Sequence, residues 1–179
     1  MRRKSGSWTF FCSTCYARSL DKCHDCYTTR YTYPMIPASH HGRFVGPNRL
    51  FLMPGTPVNL SVGVLVVSAD RVTVSWAFEG EPKEGVLLLR GPSSSFCCDF
   101  TDTFHAATGL QLHGCLRGCE ALLYGTFSTG DGAPDWGWRI VLDWSDPENF
   151  TLRMFTAKPD GTESLAVELQ GARAAATTA

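Results

Sequence analysis

The feature that most constrains this chain is a series of short segments in which apolar and polar residues alternate. From 136 to 144 the sequence reads WGWRIVLDW, so that every second residue is Trp, Ile or Leu. Segments 71–79 and 149–157 show the same period of two. Because successive side chains of a β-strand point to opposite faces, this alternation predicts strands with one apolar face.

Turn-forming residues separate these segments, among them Pro-Gly at 54–55, Gly-Pro at 91–92 and Pro-Asp-Gly at 159–161. The pattern predicts strands over 48–53, 62–68, 71–79, 85–91, 96–101, 108–114, 122–128, 136–144, 149–157 and 163–171. About ten short strands without a convincing amphipathic helix predict an all-β antiparallel barrel or sandwich. We favour an up-and-down barrel, because closure leaves no exposed edge strand.

The composition of the chain argues against several classes of protein. With 44% hydrophobic and 18% charged residues, the 179-residue chain can bury one core and is not typical of a disordered protein. No apolar run approaches the roughly 18 residues of a membrane span. Sixteen Lys and Arg against seventeen Asp and Glu give a net charge of −1, which does not favour nucleic acid as a partner. The absence of an apolar signal segment after Arg2-Arg3-Lys4 predicts a cytoplasmic protein.

Residues 1–41 differ from the rest of the chain, since they are basic and hold four of the eight cysteines. Cys12, Cys15, Cys23 and Cys26 form two Cys-x2-Cys pairs, which are typical of a four-thiolate zinc site. The seven residues between the pairs are fewer than the usual spacer of about 12–20. Two interpretations therefore stay open for 1–41, a zinc knob and a disordered leader with unligated thiols.

Four stretches together carry a resemblance to a known family. They are GPNRLFLMPG at 46–55, TDTFH at 101–105, PDWGWRI at 134–140, and LRMF at 152–155 followed by PDG at 159–161 and AVE at 166–168. Residues 42–173 thereby resemble a bacterial lipocalin-like family catalogued as a domain of unknown function. The resemblance implies a calycin-type barrel with one open mouth and an apolar interior, and it implies no reaction.

The chain departs from this family in two places. Residues 1–41 have no counterpart in it, and Phe104 stands where a tryptophan is expected before the histidine. The expected organisation is an extension over 1–41, a barrel over 42–173 and a disordered tail over 174–179.

For the barrel, the leading hypothesis is a site for a small apolar or amphipathic ligand, without a cofactor. An aromatic wall and three polar anchors are expected to line it: Trp76, Tyr124, Trp136 and Trp138, with His105, Arg139 and Arg153. The two arginines select an anionic group if they face inward. If they face outward, they stack on aromatic rings or pair with Asp143 or Glu148 at the surface.

Two further functions compete with ligand binding. Asp102 and His105 lie three residues apart near a strand end, and a carboxylate that orients an imidazole is used in general-base catalysis. This pair is the candidate for a hydrolase, although no Gly-x-Ser-x-Gly motif supplies a nucleophile. The third hypothesis is an interaction protein that binds a partner through the N-terminal cysteines. Self-association as a homodimer also stays open.

Overall fold

The computed structural model of this protein describes residues 34–52, 56–130 and 132–175. Within these ranges the chain forms a short 3₁₀ turn, Ala38–His40, and ten β-strands. The strands are β1 Gly42–Leu50, β2 Asn59–Val67, β3 Arg71–Phe78, β4 Glu81–Arg90, β5 Phe96–Asp102, β6 Ala106–Arg117, β7 Glu120–Phe127, β8 Trp136–Asp143, β9 Asn149–Ala157 and β10 Glu163–Arg173.

Each strand pairs antiparallel with the next along the chain, and β1 also pairs with β10. The sheet is therefore closed, and the predicted all-β up-and-down barrel of about ten strands is confirmed. Among the described residues, no helix has the length and hydropathy needed to cross a bilayer.

Several strands differ in their bounds from the prediction, and the pairing between β1 and β10 accounts for two of them. β1 begins at Gly42 rather than at 48, and β10 extends to Arg173, because Phe44 of β1 pairs with Arg173. Two glycines allow these strands to approach closely. A Cβ on Gly171 would lie 2.8 Å from the Cβ of Phe44, and a Cβ on Gly46 would overlap the carbonyl oxygen of Gln170.

Alternate residues of all the strands point inward and form one continuous core. The largest fully buried side chains are Trp144, Phe44, Phe96, Phe100, Phe150, Ile36, Leu50, Leu65, Leu87, Leu89, Leu112 and Leu123. Much of the barrel interior is therefore filled by the chain's own side chains.

One end of the barrel, which we call the closed end, is covered by residues that precede β1. Met35 and Ile36 belong to the core, and the Ile36 N–H donates to the carbonyl of Ala69 at 2.9 Å. The Arg173 guanidinium donates to the carbonyls of Ser39 and His41 at 2.7 and 2.9 Å. Residues 34–41, assigned to the extension on sequence grounds, thus pack against the barrel.

The opposite end, which we call the aromatic end, is where β3 ends at Phe78, β7 ends at Phe127 and β8 begins at Trp136. Here the seam between β2 and β3 is short. Its register covers Val64–Val67 opposite Val72–Ser75, so Asn59–Gly63 of β2 lies beyond it toward the aromatic end.

The contrast between inner and outer faces gives a stability prediction. Leu123→Ala removes a fully buried side chain and should lower the free energy of unfolding by about 2–5 kcal/mol. Leu60→Ala, the same change at a side chain that is 72% exposed on β2, should alter it by less than about 0.5 kcal/mol. Urea titration followed by circular dichroism measures both, and equal losses would contradict the assignment of faces.

Candidate functional site

Asp102 is the buried charged residue around which the site is built. It ends β5 on the inner face, following Phe96, Cys98 and Phe100 at every second position, and is 2% exposed. Residues 103–105 form the turn into β6. The side chain of Asp102 therefore lies inside the barrel at the aromatic end.

One oxygen of Asp102 organises this turn. Its Oδ1 accepts hydrogen bonds from the backbone N–H groups of Phe104 and His105, both at 2.8 Å. The same oxygen lies 3.1 Å from Nδ1 of His105. An aspartate commonly caps a turn by accepting from the following amides, which explains why the Asp-x-x-His spacing brings carboxylate and imidazole together.

The other oxygen of Asp102, Oδ2, is buried and has no hydrogen-bond partner among the described residues. It packs toward Gly85 on β4, where an added Cβ would come within 2.9 Å of it. Burial acts to raise the pKa of this carboxyl, but the side-chain hydrogen bond and charge of His105 and the two backbone amides outweigh it, and the pKa lies below its ordinary value. Asp102 is therefore ionised at neutral pH.

His105 is held between aromatic rings. Its ring lies 5.9 Å from Trp76 in a stacked arrangement, 5.3 Å from Trp138 and 4.7 Å from Phe104, measured between centroids. Because an ionised carboxylate only accepts, Nδ1 carries the proton of the bond to Asp102. The other ring nitrogen, Nε2, is then the unprotonated acceptor of the neutral imidazole, and no described residue makes a hydrogen bond to it.

Three phenylalanines that were not among the predicted pocket residues complete this enclosure. Phe104 contacts Trp76 and Phe78 at centroid distances of 5.3 and 5.0 Å, and Phe127 contacts Trp138 at 5.7 Å. Phe78 could have been found from its period of two with Trp76. Phe127 could be placed only once the β7–β8 register set it opposite Trp136.

Two further interior atoms lack partners among the described residues. The indole N–H of Trp138 is a buried donor without an acceptor, and Oδ1 of Asn48 is a buried acceptor without a donor. The amide nitrogen of Asn48 donates to Ser61 at 3.2 Å. Buried polar groups in proteins nearly always have a partner, so each of these atoms marks a place where a ligand or water can bind.

The structure separates the predicted pocket residues onto two faces. Trp76, His105 and Trp138 lie together inside, and Trp136 lies at the rim, 6.4 Å from Phe127 between ring centroids. Tyr124 is exposed and pairs with Arg139. Arg139 faces outward, because its neighbours Trp138 and Ile140 face inward.

Both predicted arginine anchors are on the outer face and cannot share the interior with Trp76. Arg139 pairs with Glu163 and lies 3.8 Å above the ring of Phe155, so it stacks on an aromatic residue as one alternative expected. Arg153 lies 4.0 Å from Glu120. The acidic partners are thus Glu163 and Glu120 and not Asp143 or Glu148.

A separate groove of ≈ 310 Å³ lies on the outside of the barrel, across β2, β3 and β4. Val66, Arg71 and Glu84 are among the residues that line it. This groove does not include the aromatic enclosure, and any binding assay has to distinguish the two.

Among the residues that the structure describes at the aromatic end, the candidate for catalysis is the Asp102–His105 pair. Cys98 is the cysteine on the inner face of β5, and burial raises the pKa of its thiol to about 12. A thiol of that pKa is protonated at neutral pH and is a poor nucleophile. No serine or cysteine in the described ranges makes a hydrogen bond to Nε2 of His105.

The predicted zinc ligands Cys12, Cys15, Cys23 and Cys26 lie outside the described residues, so the zinc knob stays a prediction. Within 34–52, 56–130 and 132–175, no three His, Cys, Asp or Glu side chains are grouped so that they could hold a metal ion.

Comparison with known proteins adds no relative. No protein-family model matches the chain, and no curated protein matches it.

Asp102 should stabilise the fold in a pH-dependent way. Its pKa is lowered in the folded state, so its contribution is present above the unfolded-state value of about 3.9 and is lost as the pH falls through the folded-state pKa. The amount by which Asp102→Asn lowers the free energy of unfolding should therefore shrink as the pH falls from about 5 into strong acid.

Denaturant titrations of both proteins across this range measure the difference. Asp146 and Asp160, whose pKa values backbone hydrogen bonds also lower, are present in both proteins and cancel. A difference that stays constant into strong acid would contradict the prediction.

Proposed function

We propose that this protein is a lipocalin-like binding protein that holds a small apolar or amphipathic ligand at the aromatic end of its barrel. The observation that carries the proposal is the buried Asp102 oxygen without a partner, beside an imidazole that is enclosed by Trp76, Phe104 and Trp138. Apolar walls with a few converging polar groups are typical of small-molecule sites.

The binding energy would come from apolar contact, and the polar groups would set orientation. Burial of apolar surface contributes roughly 25 cal/mol per Å², so a ligand that buries about 200 Å² would gain about 5 kcal/mol before the costs of immobilisation. Trp76 and Trp138 offer the largest ring faces. Asp102, His105 and the indole N–H of Trp138 supply the acceptors and the donor.

The ligand is placed at the aromatic end because large side chains occupy the barrel toward the closed end. Trp144 stacks on Phe150, which in turn contacts Phe44, at centroid distances of 6.1 and 5.6 Å. The resemblance of residues 42–173 to a lipocalin-like family supports the same proposal, since that family implies an apolar interior with one open mouth.

The hydrolase hypothesis for Asp102 and His105 gains no support beyond the pair itself. A carboxylate that is hydrogen-bonded to an imidazole fixes the orientation of the ring. A ring oriented in this way can serve as a general base or as an anchor for a ligand, so the pair does not favour one role over the other. Cys98, with a thiol pKa of about 12, does not supply the missing nucleophile. Ligand binding is therefore the function that the geometry supports best.

A neutral fluorescent probe tests this proposal. N-phenyl-1-naphthylamine should bind the full-length protein and quench its tryptophan fluorescence. Phe104→Ala should weaken binding about tenfold, or about 1.4 kcal/mol, because it removes one ring of the enclosure. Phe155→Ala is the matched control, since Phe155 is also half-buried but lies on the outer face under Arg139.

Two outcomes would overturn the proposal. The first is no binding of the probe by a folded wild-type protein. The second is an equal loss of affinity in both variants, which would place the probe outside the barrel. Native mass spectrometry of gently purified protein complements the titration, because a ligand retained from the cell appears as excess mass that is lost on denaturation.

A further inference from the structure

The polar groups inside the aromatic end are unbalanced in charge. Asp102 is the one buried charged residue in the described ranges, and its pKa is lowered. Arg139 and Arg153, which could have neutralised it, lie outside and face Glu163 and Glu120. In the part of the chain that the structure describes, His105 is the one basic residue that forms an ion pair with Asp102.

Lys83 of β4 also has to be considered, because it pairs with Trp76 and so occupies an inward-facing register position. Gly85 lies on the same strand as Lys83, two residues further from the aromatic end, and it is Gly85 that pairs with Asp102 of β5. Within the described residues, Lys83 makes no ion pair with Asp102, whose sole ion-pair partner is His105. A cation from outside the chain is therefore compatible with the free oxygen.

The hydrogen-bonding capacity left in the interior is mainly that of an acceptor. Asp102 uses Oδ1 for three donors and leaves Oδ2 without one. Asn48 likewise leaves its carbonyl oxygen unpaired, and the indole N–H of Trp138 is the one unpaired donor among these atoms. A ligand that donates hydrogen bonds would satisfy more of these atoms than one that accepts.

The aromatic rings point to the same ligand chemistry. The face of a tryptophan ring attracts a cation, and the attraction increases when the cation is removed from water. The rings of Trp76 and Trp138 lie 5.9 and 5.3 Å from the His105 ring between centroids, and Nδ1 of His105 lies 3.1 Å from the carboxylate. A carboxylate together with tryptophan faces is a suitable environment for an organic ammonium group.

We propose that the ligand of the aromatic end is a small organic cation, an amine whose ammonium group binds Oδ2 of Asp102 and whose apolar part packs against Trp76 and Trp138. This inference rests on the proposed function and specifies its ligand class. An anionic ligand would meet the Asp102 charge without a compensating arginine, so the site selects against carboxylates.

Three probes of similar size separate charge from apolar contact: 2-phenylethylamine, 2-phenylethanol and 3-phenylpropanoate. Isothermal titration of the full-length protein at neutral pH, where the amine is protonated, gives their affinities. The amine should bind about tenfold more tightly than the alcohol, and the carboxylate should bind more weakly than either.

Asp102→Asn should reduce the preference for the amine over the alcohol to less than about threefold. Its side-chain oxygen can still accept from the amides of Phe104 and His105, so the turn is retained. Asp99→Asn is the matched control on the same strand, because Asp99 lies on the outer face and pairs with Arg90 at 3.2 Å. This control should keep the full preference.

The outcomes distinguish the inference from the proposed function. If the alcohol and the neutral naphthylamine bind but the amine binds no more tightly than the alcohol, the cation inference is overturned and ligand binding stands. If neither neutral probe nor the amine binds, both are overturned. A preference that persists unchanged in folded Asp102→Asn would also overturn the inference, and if that variant does not fold, the wild-type comparison still decides.

Discussion

Closure of the sheet between β1 and β10 is the constraint on which the rest of this structure depends. Gly46 and Gly171 lack the side chains that would keep these strands apart, so the first and last strands pair. Once the sheet is closed, every strand has one face inside and one outside. The position of each residue in its strand then determines whether it can contribute to an interior site.

Asp102 connects the fold to the candidate site. The carboxylate ends β5, accepts the backbone amides of the following turn and holds His105, so one side chain shapes both the turn and the site. Gly85 on the neighbouring strand has no side chain that would contact the second oxygen, which is buried without a hydrogen-bond partner. Local hydrogen bonding thus satisfies half of the carboxylate and leaves the other half for interactions inside the barrel.

Alternation and turn spacing were sufficient to predict the barrel and most of its strands, because both are local properties of the sequence. The spacing of Asp102 and His105 likewise predicted a contact that depends on one turn. The outward direction of Arg139 and Arg153 depends on which face of β8 and β9 is buried, and the apolar residues beside them indicate that face. The places of Asn48, Phe127 and Ile36 in the barrel interior depend on which segments pair with each other, and a single sequence does not reveal this pairing.

The short register between β2 and β3 has a consequence for kinetics. Four residue pairs join these strands, Val64–Val67 with Val72–Ser75, and the pairing stops before the aromatic end. Local opening of a protein begins where the fewest hydrogen bonds have to break. Transient separation of these strands would open the barrel wall next to Trp76 on β3 while the rest of the barrel stays closed. The rate at which a ligand enters or leaves would then depend on local opening between β2 and β3 and not on the global stability of the protein.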